Sequence, residues 1–315
     1  MAKTAATAQT YNDTNVIGRI FSTGATRNTG QFLAAIGGLN GARRVKSQSF
    51  DMGSYYSLDN AAQNVIDETA SLTAGTARFY ARTSAENVVQ ISKYEIAVSD
   101  LREAATQQVV ATEHIGDVVE VSEFDRAASN VMDQMRADWE FTCLQGTYVA
   151  RSIVTTDVAA GGLIDPTVGI STNKVNASSA ALDITMIEEL LETMAENGAP
   201  MSNLAIVVKP GYLNDISNLY GFAPQDRVVG GVAIKQIYSD FGEIGIIWTN
   251  AAPANYLIIV DLAYCRPVVL PHKNGEDVLL KEYMDGASAQ KGYLEGYIGV
   301  DFFHESYHGY IYGIA

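Results

Sequence analysis

The chain has 315 residues, 47% of them hydrophobic, and a formal net charge of -15 at pH 7. That composition supports a substantial core, and the length suits two units or one unit with large excursions. The acidic balance, with no basic block, excludes a nucleic-acid-binding surface as the main function, because neutralising phosphates needs clustered Lys and Arg.

The stretch Met1 to Tyr11 lacks the continuous apolar segment of a secretory signal. No run reaches the roughly 18 apolar residues that cross a membrane as a helix, so synthesis and folding in the cytoplasm are expected. Two cysteines, Cys143 and Cys265, are expected as free, buried thiols rather than as a lone bridge.

Residues 1–45 are rich in Thr, Ala, Gly and Asn, with one apolar knot at Phe32, Leu33 and Ile36 before Gly37-Gly38. This predicts an extended arm that docks through the knot. From Ser47 to Ser92 the chain is rich in Ser, Thr, Asn, Asp and Ala, with Tyr55-Tyr56 and an alternating run from Ala77 to Arg82. Its apolar content is too thin for a core of its own. A polar excursion of this length is uncommon in a compact enzyme and reads as an extended hairpin resting on a neighbouring molecule.

Helical spacing begins at Ser122, where Asp125 three residues on completes a capping-box pattern. Phe124, Ala128, Val131, Met135 and Trp139 make an apolar stripe that ends near Gly146. Asp133, Arg136, Asp138 and Glu140 are expected on a solvated or partner-facing side. Residues 155–180, rich in Gly, Thr, Asn and Ser, read as a domain boundary. A second helix is predicted to start at Thr185-x-x-Glu188, with Met186, Ile187, Leu190, Leu191 and Met194 as its stripe and Gly198 and Pro200 as its stop. A buried strand, Leu204 to Val208, follows. After the turn Lys209-Pro210-Gly211 come a short helix to Tyr220 and strands at Val232–Tyr238, Glu243–Trp248 and Tyr256–Val260, the first two joined by a tight turn at Asp240-Phe241-Gly242. These elements give an α+β class without internal repeats.

From Gly286 to Ala315 the chain is studded with Tyr and Phe and punctuated by Gly, which favours extended structure. The same stretch spells His304-Glu305-Ser306-Tyr307-His308. A zinc hydrolase would place His304 and His308 one turn apart on a helix with Glu305 as general base. On a strand, at about 3.3 Å per residue, the two imidazoles lie about 13 Å apart. Tyr297, Phe302, Phe303, Tyr307, Tyr310 and Tyr312 favour strand, and Gly296, Gly299, Gly309 and Gly313 lower helix propensity. The expectation is two histidines on one face of a strand, with the zinc site as the alternative.

Other chemistry finds little support. The glycines from Gly24 to Gly30 and from Gly37 to Gly41 lack the lysine of a phosphate-binding loop. No Gly-x-Ser-x-Gly elbow occurs. Cys143, which could be imagined with His114 as thiolate and base, lies on the apolar side of the long helix, where a buried structural cysteine is expected, and Cys265 with His272 has no third orienting group at a defensible spacing. No catalytic, cofactor-binding or metal-binding residue is therefore expected, and no cofactor. An arm, a polar hairpin, a long helix and a mixed unit without an active site favour self-assembly over catalysis.

The passages Asn87 to Ser99, Val207 to Ser217, Ile237 to Ile244, Val260 to Leu262 and Tyr307 to Gly309 occur in an order and spacing similar to those of tailed-phage major capsid proteins. With nearly the whole chain covered, the sequence resembles the Hong Kong 97-type fold, in the branch of the Salmonella phage SU-ten-like capsid proteins. The resemblance implies an N-terminal arm (1–45), an extended loop (46–98), a peripheral domain with a spine helix (99–154), an axial domain (155–275) and strands returning to the peripheral domain (276–315). It implies a homo-oligomer of pentamers and hexamers, closed as an icosahedral shell around double-stranded DNA without sequence-specific binding and without a membrane. A separate scaffolding protein, a portal and optionally a decoration protein are the implied partners. The shell of an encapsulin-like cellular compartment, which has the same fold, is the alternative. Some relatives join an extended-loop lysine to a neighbour's asparagine, but no lysine lies between Ser47 and Ser92 here, so a shell without crosslinks is expected.

Overall fold

The computed structural model describes residues 30–56, 58, 61, 63, 80, 82–106, 122–152, 157–220, 225–229, 232–283 and 289–315. Most of the predicted arm, most of the run from Ala77 to Arg82, and His114 lie outside the described residues. Two sheets and the helix between them make the framework.

The longest helix, α3 (Glu123–Gln145), begins at Ser122, whose side chain accepts a hydrogen bond from the amide of Phe124 at 3.2 Å. The amide of Glu123 is taken by the carboxylate of Glu103 on α2 (Asp100–Thr106). Twenty-three residues make a rod about 35 Å long, long enough to touch both sheets. The predicted stripe faces inward, with Phe124, Met135 and Trp139 buried.

The five-stranded sheet is built around β13 (Ala289–Asp301). Along one edge runs β4 (Gln90–Ser99); along the other lie β12 (Val278–Tyr283) and then β11 (Arg266–Val269), with β1 (Arg43–Arg44) parallel to β11. The inward side of this sheet carries α3. At Gly296 an added Cβ would lie 2.2 Å from the Met135 methyl. That glycine, expected only to discourage helix, gives the crossing helix room.

The seven-stranded sheet has the order β5 (Lys174–Asn176), β14 (Gly309–Tyr312), β10 (Tyr256–Asp261), β6 (Leu204–Val208), β9 (Gly242–Trp248), β8 (Val232–Ser239) and β7 (Gln225–Val229). Every residue of β6 is buried, because both faces are covered. On one face Ile206 and Val208 meet Ile187, Leu190, Leu191 and Met194 of α4 (Ile184–Glu196), with Ile216 of α5 (Tyr212–Tyr220). On the other, Ala205 and Val207 join a core with Trp139, Cys143 and Leu144 of α3 and with Phe32 and Leu33 of α1 (Gln31–Ala35). The apolar knot thus docks on the chain's own α3 and on β8 and β9.

Several sequence expectations change. Asp183, not Thr185, caps α4: its carboxylate accepts from the amide of Ile184 at 2.7 Å and from the Thr185 hydroxyl. The stop is as predicted, with Gly198 at φ 80 and the amides of Gly198 and Ala199 bonded to the carbonyls of Ala195 and Met194. Residues 157–170, within the connection read as a domain boundary, pack against the end of α3. Ala160, Leu163 and Ile170 are buried, and the amide of Leu163 bonds to the carbonyl of Cys143 at 3.0 Å. Sheet membership also crosses the expected boundaries at 155–275 and 276–315. The strand β11 lies in the five-stranded sheet, and β14 pairs with β10 and β5 in the seven-stranded one. Long-range ladders decide this, and no local pattern encodes them.

Candidate functional site

The His-Glu-x-x-His segment lies neither on a helix nor on a continuous strand. Glu305–Tyr307 form a single 3-10 turn between β13 and β14, which corrects the expectation of two histidines on one strand face. His308 is buried; its Nδ1 accepts from the amide of Asp261 at 3.2 Å, and its Nε2 lies 2.8 Å from the carbonyl oxygen of Phe302. With one nitrogen accepting and the other facing an acceptor, the ring is the neutral Nε2-H tautomer. Burial drives its pKa down to about 4. His304 spends Nδ1 on the amide of Ser306, at 3.1 Å, and on the Ser306 hydroxyl. Glu305 accepts from the amide and hydroxyl of Ser171. The three side chains serve three separate structural contacts. Among the described residues no group of three or more His, Cys, Asp or Glu side chains is placed to hold a metal ion.

Both cysteines are free and buried, and burial raises both thiols above their usual range. Cys265 is brought to His308, with Sγ 4.0 Å from Nε2, while His272 packs on Tyr297 and points Nε2 at the carbonyl of Glu295. A neutral thiol beside a neutral imidazole that is already engaged makes no nucleophile.

Glu140 corrects the expectation of a solvated helix side. It is 0% exposed. One carboxylate oxygen accepts from the amide of Leu33 at 3.0 Å, and the other accepts from the hydroxyl of Thr249. This side chain ties α1, α3 and the turn after β9 together. Over the C-terminal half of α3 the buried face widens to Ala137, Trp139, Glu140, Thr142, Cys143 and Leu144, while Arg136 and Phe141 stay exposed, so charge ceases to mark the outer face there.

The hairpin of β2 (Ser49–Tyr56) and β3 (Arg82–Val88) has a buried root and an exposed outer half. At the root Phe50, Met52 and Val88 are buried, and Asn87 is fully enclosed. The Asn87 amide nitrogen donates to the carbonyls of Gly161 and Val300, and its oxygen accepts from the amides of Gly161 and Val88, all at 2.9–3.0 Å. All four hydrogen-bonding positions of the side chain are used. A register shift between Asp51 and Gly53 marks a bulge, and from there outward the strands are polar and open. Tyr56 is 59% exposed and Leu58 72%.

The segment after β13 lies against this bulge. Phe303 has φ 58, a left-handed conformation that costs a bulky side chain on the order of 1–2 kcal/mol. Its amide donates to Asp301 at 3.0 Å, and its ring lies beside Tyr264 and Tyr307. Asp301 pairs with Arg43 at 2.6 Å, and the same guanidinium nitrogen donates to the carbonyl of Asp51. Burial raises the Asp301 carboxyl above its usual range against the opposing pull of the Phe303 amide and Arg43. The ring of His304 meets Tyr55 edge-on at 4.0 Å. No sequence signal distinguishes Phe303 from the other aromatics of the C-terminal stretch.

Away from α3, the five-stranded sheet presents aromatic and charged side chains in pairs. Lys93 Nζ sits 4.2 Å above the Tyr293 ring, the Tyr283 hydroxyl donates to Glu95 at 2.8 Å, and Ile91 is 58% exposed. Tyrosines are enriched at protein contact surfaces, whereas Lys and Glu belong to their rims rather than their centres. They offer nothing to a reacting bond.

Solved structures of shell proteins share this architecture. The chain aligns over 100% of its length with 96% of the holo-SrpI encapsulin from Synechococcus elongatus PCC 7942 (TM-score 0.60, 10% identity). It aligns over 100% of both chains with the capsid protein of the native GTA particle (TM-score 0.60, 10% identity). With the cyanophage A-1(L) capsid it shares 91% of this chain and 93% of that one (TM-score 0.58, 10% identity). This is the α+β, Hong Kong 97-type fold of capsids and encapsulins. No curated protein matches the sequence. The SU10 major capsid protein family model matches residues 3–315, and the chain belongs to that family. It is a structural, non-enzymatic protein of a tailed-phage virion shell, which decides between the two shell types that the fold alone admits.

Proposed function

We propose that copies of this chain associate as pentamers and hexamers and close into an icosahedral shell around double-stranded DNA. The observation that carries this reading is the hairpin: its root is bonded into the body through Asn87, while its outer strands have little apolar cover from their own chain. A segment built in this way gains its cover from a neighbouring copy. The unit of the seven-stranded sheet with α4 and α5 is the axial domain, meeting its copies at fivefold and sixfold positions. The unit of the five-stranded sheet with α3 is the peripheral domain. The acidic balance suits a wall that does not adhere to DNA.

A separate scaffolding protein directs closure, and a portal and a decoration protein are further partners. Expression of the chain alone and together with the neighbouring phage-type genes, imaged by electron microscopy, tests the proposal. Rings or closed shells in the second sample support it, and a monodisperse monomer in both rejects it. Uniform shells from the chain alone reject the scaffold requirement. Boiled in SDS, the shells give one band near 33.9 kDa, because the hairpin has no lysine to crosslink; covalent ladders contradict this.

A further inference from the structure

The hairpin changes character at one residue. Inward of Gly53 its side chains Phe50 and Met52 are in the core; outward, Ser54, Tyr55 and Tyr56 are partly or fully open. The bulge at Asp51/Gly53 places an extra residue, Met52, at this step, and a bulge bends the strand that carries it. Gly53 does not occupy the left-handed region, so its backbone does not require glycine. Its small size is what matters: a Cβ there would lie 2.7 and 2.9 Å from Cδ2 and Cε2 of Phe303. The opposing residue is held in place. Phe303 keeps its left-handed backbone through the Asp301 hydrogen bond and the flanking Tyr264 and Tyr307 rings. Either side of the wedge has its own tie, Arg43 to the Asp51 carbonyl and His304 to Tyr55.

We propose that the Phe303 ring, seated in the space left by Gly53, is a wedge that sets the angle at which the β2–β3 hairpin leaves the body, and thereby how far the hairpin reaches in the assembled shell. The second half rests on the shell reading above; the first does not. A Cβ at position 53 moves the ring or tilts the hairpin, and the Tyr55 and Asp51 ties loosen with it. The signature is therefore coupling between positions 53 and 303, beyond what separate destabilisation produces.

Hydrogen exchange on the unassembled full-length subunit tests this with the wild type, Gly53→Ala, Phe303→Gly and the double variant. Glycine at 303 removes the ring and suits the left-handed backbone. Amides of β6 and β10 in the same samples report global stability, so a poorly folded variant is recognised. Gly53→Ala is expected to speed exchange of residues 54–56 and 82–85 by about tenfold while β6 and β10 stay protected. In the Phe303→Gly background, Gly53→Ala is expected to add no further change. An equal effect of Gly53→Ala with and without Phe303, or no effect at all, overturns the wedge. Electron cryo-microscopy of shells from the same four proteins tests the second half, with Gly53→Ala expected to alter shell diameter or closure and the double variant to match Phe303→Gly. Coupled exchange with identical shells overturns the link to reach. Failure of the wild type to form shells rejects the assembly reading, while the exchange data still judge the wedge.

Discussion

The seven-stranded sheet and the β2–β3 hairpin belong to one chain but solve opposite problems. The sheet buries both faces of β6, between α4 on one side and α1 and α3 on the other. Among the described residues the hairpin buries only its root, and the strand residues from Gly53 to Tyr56 and from Arg82 to Ala85 are intermediate or exposed. A body that encloses its own apolar surface folds without help, because burial offsets the entropy of ordering. Two strands alone are marginal in water, so the hairpin's outer half takes its shape from the bulge, from the ties at Asp301–His304 and from whatever it meets. The difference separates residues that a single copy needs from residues that only an assembly needs.

Mutations should expose that separation. Leu190→Ala, in the α4 contact with the sheet, should lower unfolding free energy by about 3–4 kcal/mol, read as a fall in urea midpoint of the isolated subunit. Asn87→Ala leaves the buried carbonyls of Gly161 and Val300 and the amides of Gly161 and Val88 without their partner, and should cost about 2–3 kcal/mol. The hairpin should also lose exchange protection at its root; protection as in the wild type would show that the root is held by Phe50 and Met52 alone.

The pH dependence of the body sharpens the same contrast. His308 is neutral and buried, with a pKa near 4 in the folded state, against about 6.5 in an unfolded chain. Between these values the unfolded chain binds more protons, so stability falls as pH drops through this window and is fully present above it. From this residue alone the loss between pH 7.5 and pH 5 is about 2 kcal/mol. Urea titrations at the two pH values, repeated with His308→Asn, should show the pH sensitivity shrink in the variant. The smallest effect on folding is expected for Tyr56→Ala, within about 0.5 kcal/mol of the wild type. The same variant should reduce the yield of closed shells in electron micrographs, and an unchanged yield would remove Tyr56 from the contact surface.

Most elements of the body were legible because their patterns are local. Ile187, Leu190, Leu191 and Met194 recur at helical spacing, Leu204 to Val208 form an unbroken apolar run, and Gly198 occupies the left-handed stop it was assigned. Glu140 departs from the expectation for a physical reason: amphipathic spacing assumes a narrow inner stripe with charge outside it, and over the last turns of α3 the buried face widens to take in Glu140 while Phe141 stays exposed. The histidine motif lies on a single 3-10 turn rather than on the expected strand, because one such turn leaves little trace among aromatic residues.

The sequence by itself determined the class of fold, the long helix, the buried strand, the docking of Phe32 and Leu33, the exposed polar hairpin and, through the order of its motifs, the family. Only the tertiary structure decided that β14 lies between β5 and β10 in the sheet of β6, that Asn87 and Glu140 are internal ties, that Cys265 sits by His308, and that Phe303 rests on Gly53. Those contacts join residues tens to hundreds of positions apart. Local propensity acts over a few residues, whereas which distant residues meet is fixed by how the whole chain minimises exposed apolar surface and unpaired polar groups.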